Sequence, residues 1–175
     1  MKAPELQIQQ WFNSATDLTL ADLRGKVIVI EAFQMLCPGC VMHGIPLAQK
    51  VRAAFPEDKV AVLGLHTVFE HHEAMTPISL KAFLHEYRIK FPVGVDQPGD
   101  GAMPRTMAAY QMRGTPSLLL IDKAGDLRAH HFGDVSELLL GAEIATLLGE
   151  AAPSVQKQAG TPQGDANCDN DGCTV

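Results

Sequence analysis

The sequence has no apolar run long enough to span a bilayer and no cluster of lysine and arginine residues. A membrane-spanning helix needs about 20 consecutive apolar residues, so we expect none. With 14 basic and 20 acidic residues, the net charge is −6, which argues against nucleic acid as a main partner. The first six residues hold one lysine and no apolar segment, so they do not form a secretory signal. This start predicts a cytoplasmic protein, or a periplasmic one if the sequence has been trimmed.

Cysteine is also scarce, with four residues in 175. They form two close pairs, Cys37 with Cys40 and Cys168 with Cys173. This spacing does not match the dense disulfide framework of small secreted proteins. It indicates two functional pairs, one within the fold and one near the end of the chain. We expect neither a cofactor nor a resident metal.

The first cysteine pair lies where a predicted strand passes into a predicted helix. Residues 27–33 are apolar and β-branched, which is typical of a buried strand, and residues 41–55 have apolar side chains at helical spacing. Thiols in the first turn of a helix gain thiolate character from its unpaired N–H groups. Half of a zinc site and a pair of buried apolar cysteines are the structural alternatives. The order strand, CxxC, helix favours redox chemistry.

Apolar periodicity over the rest of the chain predicts one α/β domain, residues 1–150, followed by a flexible polar tail, residues 151–175. The predicted order of elements is ββα–βα–βα–ββα. Strands that alternate with helices form parallel pairs, and the last two strands form an antiparallel hairpin, so the sheet is mixed and has helices on both faces. Pro46 is predicted to kink the first helix. The predicted strands are short ones within 6–20, then 27–33, 60–68, 91–95, 117–121 and 127–132, and the helices are 41–55, 79–88, 106–112 and 135–148.

Two motifs together carry a family resemblance. The segment Leu20–Val27 leads into the strand before the CxxC pair, and the segment Gly114–Ser117 leads into a later apolar strand. Over about residues 15–148 the chain resembles thioredoxin-like proteins of the TlpA/ResA type. The resemblance implies a thioredoxin-like mixed central sheet flanked by helices, with extra N-terminal strands, and thiol–disulfide chemistry. The chain departs from thioredoxins at Leu36, where tryptophan is usual, and in having Pro-Gly between the cysteines.

The two cysteines of the CxxC motif are expected to have different roles. Cys37 lies nearer the exposed start of the predicted helix, so we expect it to act as the nucleophile and Cys40 to resolve the mixed disulfide. The resemblance implies that Glu31, six residues before Cys37, accepts the proton of Cys40. A buried carboxyl has a raised pKa that suits proton exchange near neutral pH. The alternative is a glutamate at the sheet edge that faces solvent.

Four residues of the two motifs are predicted to bind the substrate, namely Pro38, Gly39, Thr115 and Pro116. By the resemblance, the Thr115–Pro116 peptide bond is cis, faces the CxxC pair and leaves the backbone of Thr115 free to pair with an extended substrate. Only about 5% of X–Pro bonds in folded proteins are cis. This expectation therefore rests on the resemblance alone.

Three histidines, His66, His71 and His72, follow the second predicted buried strand, together with two glutamates. Neutral imidazoles are common metal ligands, so a metal site is one interpretation. Adjacent side chains on an extended chain point in opposite directions, which separates His71 from His72. The favoured interpretation is a polar loop beside the active-site face.

The tail pair, Cys168 and Cys173, has three open interpretations. Asp169, Asp171 and Gly172 copy part of a calcium loop, but Val175 precedes the bidentate glutamate that such a loop needs, so we do not expect calcium. The remaining possibilities are a secondary redox pair that relays electrons to the CxxC pair, a soft-metal clamp and an inert disulfide.

The leading prediction is a thiol–disulfide oxidoreductase that reduces disulfides in a protein or small thiol partner, with electrons from an unidentified donor. A peroxiredoxin-like thiol peroxidase is a second hypothesis. Peroxiredoxins usually have threonine three residues before the reactive cysteine, and here Gln34 stands at that position. A third hypothesis is a copper or zinc chaperone that uses Cys37, Cys40 and a histidine. Thiolates that bind metal tightly are poor at redox cycling.

Overall fold

The computed structural model describes residues 1–151, which form a six-stranded sheet and four α-helices. The order of elements is ββα–βα–βα–ββα, as predicted. Within the described residues, no helix is long and apolar enough to cross a membrane. The strands are β1 (Ile8–Phe12), β2 (Val27–Phe33), β3 (Val60–His66), β4 (Val93–Asp96), β5 (Ser117–Ile121) and β6 (Leu127–Phe132). The helices are α1 (Ile45–Ala54), α2 (Pro77–Glu86), α3 (Arg105–Ala109) and α4 (Glu137–Gly149).

The strands lie side by side in the order β1-β4-β3-β2-β5-β6. β2, β3 and β4 are parallel to one another, because a helix carries the chain back between them. The β5–β6 hairpin pairs antiparallel with β2, and β1 pairs antiparallel with β4 at the other edge. The predicted mixed sheet is confirmed. All seven residues of the central strand β2 are buried, and its carboxyl end leads into the CxxC motif.

Successive side chains of β2 alternate between two separate cores. Val29 and Phe33 pack in the layer that contains α1, α2 and α4. Ile28 and Ile30 pack in the opposite layer, with α3 and part of the N-terminal segment. Each fully buried aliphatic or aromatic side chain contributes about 1.5–3 kcal/mol to folding. Because strand side chains alternate between faces, Glu31 belongs to the same face as Val29 and Phe33, beneath the active-site helix.

The N-terminal segment holds one strand, so the prediction of several short strands within residues 6–20 is wrong. β1 ends where Asn13 takes a positive φ of 55°. The side-chain amide of Asn13 donates hydrogen bonds to the carbonyl oxygens of Ile89 (2.8 Å) and Phe91 (3.2 Å). These bonds hold the turn at the end of β1, and the chain then runs without a further strand to β2.

The active-site helix is not the single helix that was predicted over residues 41–55. A π-helical turn, Cys40–Gly44, comes first, and α1 starts at Ile45. Pro46 therefore lies in the first turn of α1, a position that tolerates proline. The kink predicted at Pro46 is wrong, because the helical run is interrupted by the π turn before this residue and Pro46 itself lies at the start of α1. Such turns insert an extra residue into a helix and are frequent at functional sites.

Candidate active site

The CxxC motif lies at the carboxyl end of β2, between the central strand and the π turn. The N–H of Cys37 donates to the carbonyl oxygen of Gln34 (3.2 Å), which turns the chain after β2. Cys40 begins the π turn. Within residues 1–151 neither cysteine forms a disulfide; Cys37 is half-buried, whereas Cys40 is 0% exposed. Of the two, Cys37 alone is accessible to a partner molecule.

The sulfur of Cys37 contacts two backbone groups. The N–H of Cys40 donates to this sulfur over 3.2 Å, and the Cys37 thiol donates to the carbonyl oxygen of Thr115 over 3.5 Å. The accessible sulfur therefore lies between a backbone donor and a backbone acceptor, one from the π turn and one from the loop before β5. The nucleophilic role of Cys37 stays a prediction.

The loop before β5 packs against the CxxC turn. The Thr115–Pro116 peptide bond is cis, as the resemblance implied. A Cβ atom on Gly39 would lie 3.2 Å from Cδ of Pro116, so the two segments approach each other closely. Pro116 is buried, Thr115 is half-buried and Pro38 is exposed. The structure thus brings three of the predicted substrate-binding residues together around Cys37, with Pro38 exposed beside them.

Glu31 is buried on β2, with 1% of its surface exposed. The alternative of a solvent-facing glutamate is therefore wrong. Burial raises the pKa of this carboxyl well above its usual range, and the negative charge of Cys37 raises it further. Among residues 1–151, its Oε1 atom has no hydrogen-bond partner. The predicted burial is confirmed, and the role as proton acceptor stays a prediction.

Cys40 is held in its thiol form by its surroundings. Burial raises its pKa to about 12, and its hydrogen bond with Cys37 is the second cause. At neutral pH this thiol keeps its proton. Cys40 therefore needs a nearby base before it can attack a disulfide bond.

Gly44, the last residue of the π turn, contributes to the site by having no side chain. A Cβ atom at this position would clash with Oε1 of Glu31 and would lie 2.8 Å from its carboxyl carbon and 3.1 Å from Cβ of Pro116. The prediction of site residues missed this glycine. A glycine inside a helical pattern is the sequence signal that could have identified it.

Gln34 is a second residue that the site prediction missed. It is buried, and its side chain connects the CxxC turn to the loop after β3. Its Oε1 accepts a hydrogen bond from the N–H of Phe69 (3.2 Å), and its Nε2 donates to Glu70 (3.4 Å). In the sequence, its position three residues before Cys37 stands out only as the place where a peroxidase has threonine.

The three histidines at the end of β3 and after it differ in burial. His66 is buried at the end of the strand, whereas His71 and His72 are exposed in the next loop. Within the described part of the chain, no group of three or more His, Cys, Asp or Glu side chains could hold a metal ion. The tail pair, Cys168 and Cys173, lies outside the described residues, as does the predicted flexible tail from residue 152 onward.

Comparison with known proteins places this site in a family context. The model of the AhpC/TSA family matches residues 1–130. A solved structure of a thiol-disulfide isomerase from Corynebacterium glutamicum is 51% identical in sequence and superposes with a TM-score of 0.81, covering 85% of this chain and 98% of that one. The predicted thioredoxin-like fold is confirmed.

Two curated relatives are longer than this chain. The protein DipZ of Mycobacterium bovis is 28% identical over 157 residues, which is 88% of this chain and 22% of DipZ. The thiol-disulfide oxidoreductase ResA of Bacillus thuringiensis is 25% identical over 117 residues, which is 67% of this chain and 61% of ResA. The chain therefore spans about a fifth of DipZ and three fifths of ResA. The predicted relationship to ResA-type proteins is confirmed.

Proposed function

The chain belongs to the AhpC/TSA family, and on this premise we propose that it is a thiol–disulfide oxidoreductase that cycles Cys37 and Cys40 between dithiol and disulfide. The observation that carries the proposal is the contrast between the two cysteines. Cys37 is half-buried and its sulfur accepts an N–H hydrogen bond of 3.2 Å, whereas Cys40 is fully buried behind it. Cys37 can react with the partner in the first step, and Cys40 reacts in the second step, as a two-step exchange requires.

The reaction proceeds by two thiolate attacks. The Cys37 thiolate attacks one sulfur of the partner's disulfide, forms a mixed disulfide and releases the partner's other sulfur as a thiolate. Cys40 then loses its proton and attacks the Cys37 sulfur, which releases the partner's second thiolate. The partner gains two electrons and two protons in total, and Cys37–Cys40 becomes a disulfide. A thiol or dithiol donor must return two electrons before the next cycle.

Glu31 is suited to accept the proton of Cys40 at the second step. The negative charge of the Cys37 thiolate contributes to the raised pKa of Glu31. Formation of the mixed disulfide removes this charge, so the pKa of Glu31 falls and its carboxylate form becomes more accessible. Burial, the main cause of the raised pKa, persists, and the loss of the Cys37 charge shifts Glu31 toward the form that can accept a proton at the step in which Cys40 has to be deprotonated. The raised pKa of Cys40 is the reason that a base is needed.

Proteins with accessible disulfides are the proposed substrate class. The names of the relatives support this choice, since one is called a thiol-disulfide isomerase and another a thiol-disulfide oxidoreductase. Thr115 lies beside the Cys37 sulfur and is half-buried, so its backbone can pair with an extended segment of the substrate. The peroxidase and metal-chaperone hypotheses are not favoured by these relatives.

Reduction of a protein disulfide, compared with consumption of peroxide, tests the proposal. Pre-reduced protein is mixed with insulin in one assay and with hydrogen peroxide in a parallel assay, with Cys37→Ser as the control. We expect reduction of insulin disulfides that the control lacks, and peroxide consumption no faster than that of a simple thiol. Rapid peroxide turnover without insulin reduction would reject the proposal. An equilibrium with glutathione then measures the reduction potential and the direction of transfer.

A further inference from the structure

An arginine beside the cis-proline loop lies on an exposed aromatic ring. Arg113 precedes the loop that holds the cis Thr115–Pro116 bond, and its guanidinium carbon is 5.1 Å from the centroid of the Phe132 ring. Both side chains are exposed. A guanidinium over an aromatic face is attracted by the ring and keeps N–H groups at its edge available to an anion. The stacking therefore gives a long surface side chain a defined position.

Arg113 and Phe132 lie next to the backbone that contacts the reactive cysteine. A Cβ atom on Gly114 would lie 3.1 Å from Cε2 of Phe132, so the ring packs directly on the loop. The next residue, Thr115, accepts a hydrogen bond from the thiol of Cys37 through its carbonyl oxygen (3.5 Å). The Cα atoms of Arg113 and Thr115 are at most about 7 Å apart, which is about two residues of an extended substrate. A substrate held at Cys37 can therefore reach the guanidinium.

The positive charge of Arg113 has no acidic partner among residues 1–151, where this side chain forms no ion pair. Two acids on the neighbouring elements have other partners. Glu143 of α4 is hydrogen-bonded to His131 (2.8 Å), and Asp134, which follows β6, lies 3.9 Å from the ring nitrogen of His43. The charge beside the cis-proline loop is thus available to a bound molecule.

His130, on the same strand as Phe132, does not add a second positive charge at neutral pH. Burial lowers the pKa of His130, and the charge of Arg113 lowers it further. Near the cysteine, Leu36 and Met42 are exposed apolar side chains. The surface beside Cys37 therefore combines apolar groups with one guanidinium that is free to bind an anion.

We propose that Arg113, held on the ring of Phe132, selects substrates that carry an acidic side chain within about four residues of the cysteine that Cys37 attacks. The inference rests on the proposed function for the substrate, a protein with an accessible disulfide. Aspartate and glutamate are the anionic side chains that an unmodified polypeptide offers, and a carboxylate matches the planar fork of a guanidinium. A substrate with lysine at the same position is repelled.

The kinetics of a peptide set test this selection during turnover. Peptide disulfides carry glutamate, glutamine or lysine at each of the four positions on either side of the reactive cysteine. At one or two neighbouring positions, we expect wild-type kcat/KM to be about threefold higher for glutamate than for glutamine, the effect of one exposed ion pair, and lowest for lysine. Glutamate and glutamine have nearly the same shape, so their ratio reports the charge. No preference for glutamate at any position would overturn the proposal.

Charge reversal at residue 113 assigns the preference to this side chain. Arg113→Gln should abolish the glutamate-to-lysine preference at those positions, and Arg113→Glu should invert it. A ratio of two kcat/KM values is insensitive to a general loss of activity. Lys81→Glu is the matched control, because it makes the same change in net charge at an exposed residue of α2; it should keep the wild-type ratio. A glutamate preference that survives in Arg113→Glu, or that Lys81→Glu removes equally, would overturn the proposal.

A tethered peptide tests the contact independently of the proposed function. In Cys40→Ser, the Cys37 thiol is joined to the same peptides through their thionitrobenzoate disulfides, a reaction open to any accessible thiol, and NMR follows the Nε–H group of Arg113. We expect the glutamate peptide to shift this resonance and the glutamine peptide to leave it in place. Equal spectra would overturn the contact. If the wild-type protein reduces no disulfide, the proposed function fails and this comparison decides on the contact by itself.

Discussion

The carboxyl group of Glu31 occupies the space that a side chain on Gly44 would need. A Cβ atom on Gly44 would lie 2.8 Å from the carboxyl carbon of Glu31, and on its other side 3.1 Å from Cβ of Pro116. The central strand, the π turn and the loop with the cis proline therefore meet at one glycine. The buried acid can lie beneath the π turn because residue 44 has no side chain.

The first prediction concerns Gly44→Ala. The added methyl group should displace the Glu31 carboxyl, so we expect slower disulfide reduction and a loss of stability. Overpacking costs about 1–3 kcal/mol, and the higher helix propensity of alanine offsets up to about 1 kcal/mol. Insulin reduction and urea unfolding measure the two effects.

Two variants serve as controls for Gly44→Ala. Among residues 1–151, a Cβ on Gly141 in α4 meets no atom within 4 Å, so Gly141→Ala should leave both activity and stability intact. Adding Glu31→Asp to Gly44→Ala shortens the acid and should restore part of the lost stability. A Gly44→Ala protein as stable and active as the wild type would show that the close packing does not matter.

The second prediction concerns the order in which the two cysteines react. Cys37 is half-buried and Cys40 fully buried, so iodoacetamide at limiting concentration should label Cys37 first, as peptide mass spectrometry would show. Cys37→Ser should abolish insulin reduction, and Cys40→Ser should accumulate a mixed disulfide with the substrate. Faster labelling of Cys40 would reverse the assignment of roles.

The third prediction concerns Glu31→Gln and pH. The folded protein raises the pKa of Glu31, so above the unfolded pKa of about 4.3 the folded state binds more protons than the unfolded state. The wild type therefore loses stability as pH rises from this value toward the folded pKa. Glu31→Gln removes this loss. Above the folded pKa, the free energy of unfolding of the variant should be higher by about 1.4 kcal/mol for each unit by which folding raises the pKa of Glu31. Urea unfolding should show that the variant is more stable than the wild type at pH 6 and pH 8, and that this difference disappears at pH 4.

The same substitution should have the opposite effect on catalysis. Without the carboxyl, the site loses its proposed proton acceptor, so resolution of the mixed disulfide should slow and should depend on hydroxide concentration. Quenched-flow detection of the mixed disulfide measures this step. A resolution rate equal to that of the wild type at pH 7 would exclude Glu31 as the proton acceptor.

The fourth prediction concerns Gln34→Leu. This substitution removes the acceptor of the Phe69 N–H and the donor to Glu70. Loss of a buried hydrogen-bond partner costs about 1–3 kcal/mol, so we expect lower stability and faster hydrogen exchange at the Phe69 amide. The exchange rate of the Val29 amide, inside β2, serves as the internal reference. Equal protection of the Phe69 amide in the variant and in the wild type would show that the hydrogen bonds of the Gln34 side chain do not stabilise this loop.

The fifth prediction concerns the segment after the described residues. Glu150 forms hydrogen bonds with Arg128 of 2.5 and 2.8 Å, so the truncation belongs after Ala151. Removal of residues 152–175 should leave the melting temperature nearly unchanged. If Cys168 and Cys173 relay electrons, the same truncation should slow the reduction of oxidised Cys37–Cys40. Turnover that is unchanged with every donor would leave the tail pair without a redox role.

The sequence alone determined the order of the elements and the location of the cysteine pair. Apolar periodicity is a local property, so residues 27–33 and 117–121 could be identified as strands without knowledge of their neighbours. The CxxC motif follows directly from the first of these strands. Where local geometry overrode the pattern, the prediction was wrong, as at Asn13, whose positive φ ends β1.

Only the tertiary structure decided how the site is assembled. Cys37 and Thr115 are 78 positions apart in the chain and become neighbours through the pairing of β2 with β5. The space left by Gly44 and the burial of the His66 ring, which has no hydrogen-bond partner in the described part of the chain, likewise depend on residues that are distant in sequence. A sequence pattern reports the face on which a side chain lies. The atoms opposite that side chain, which set its burial, its pKa and its chemistry, are decided by the packing of the whole fold.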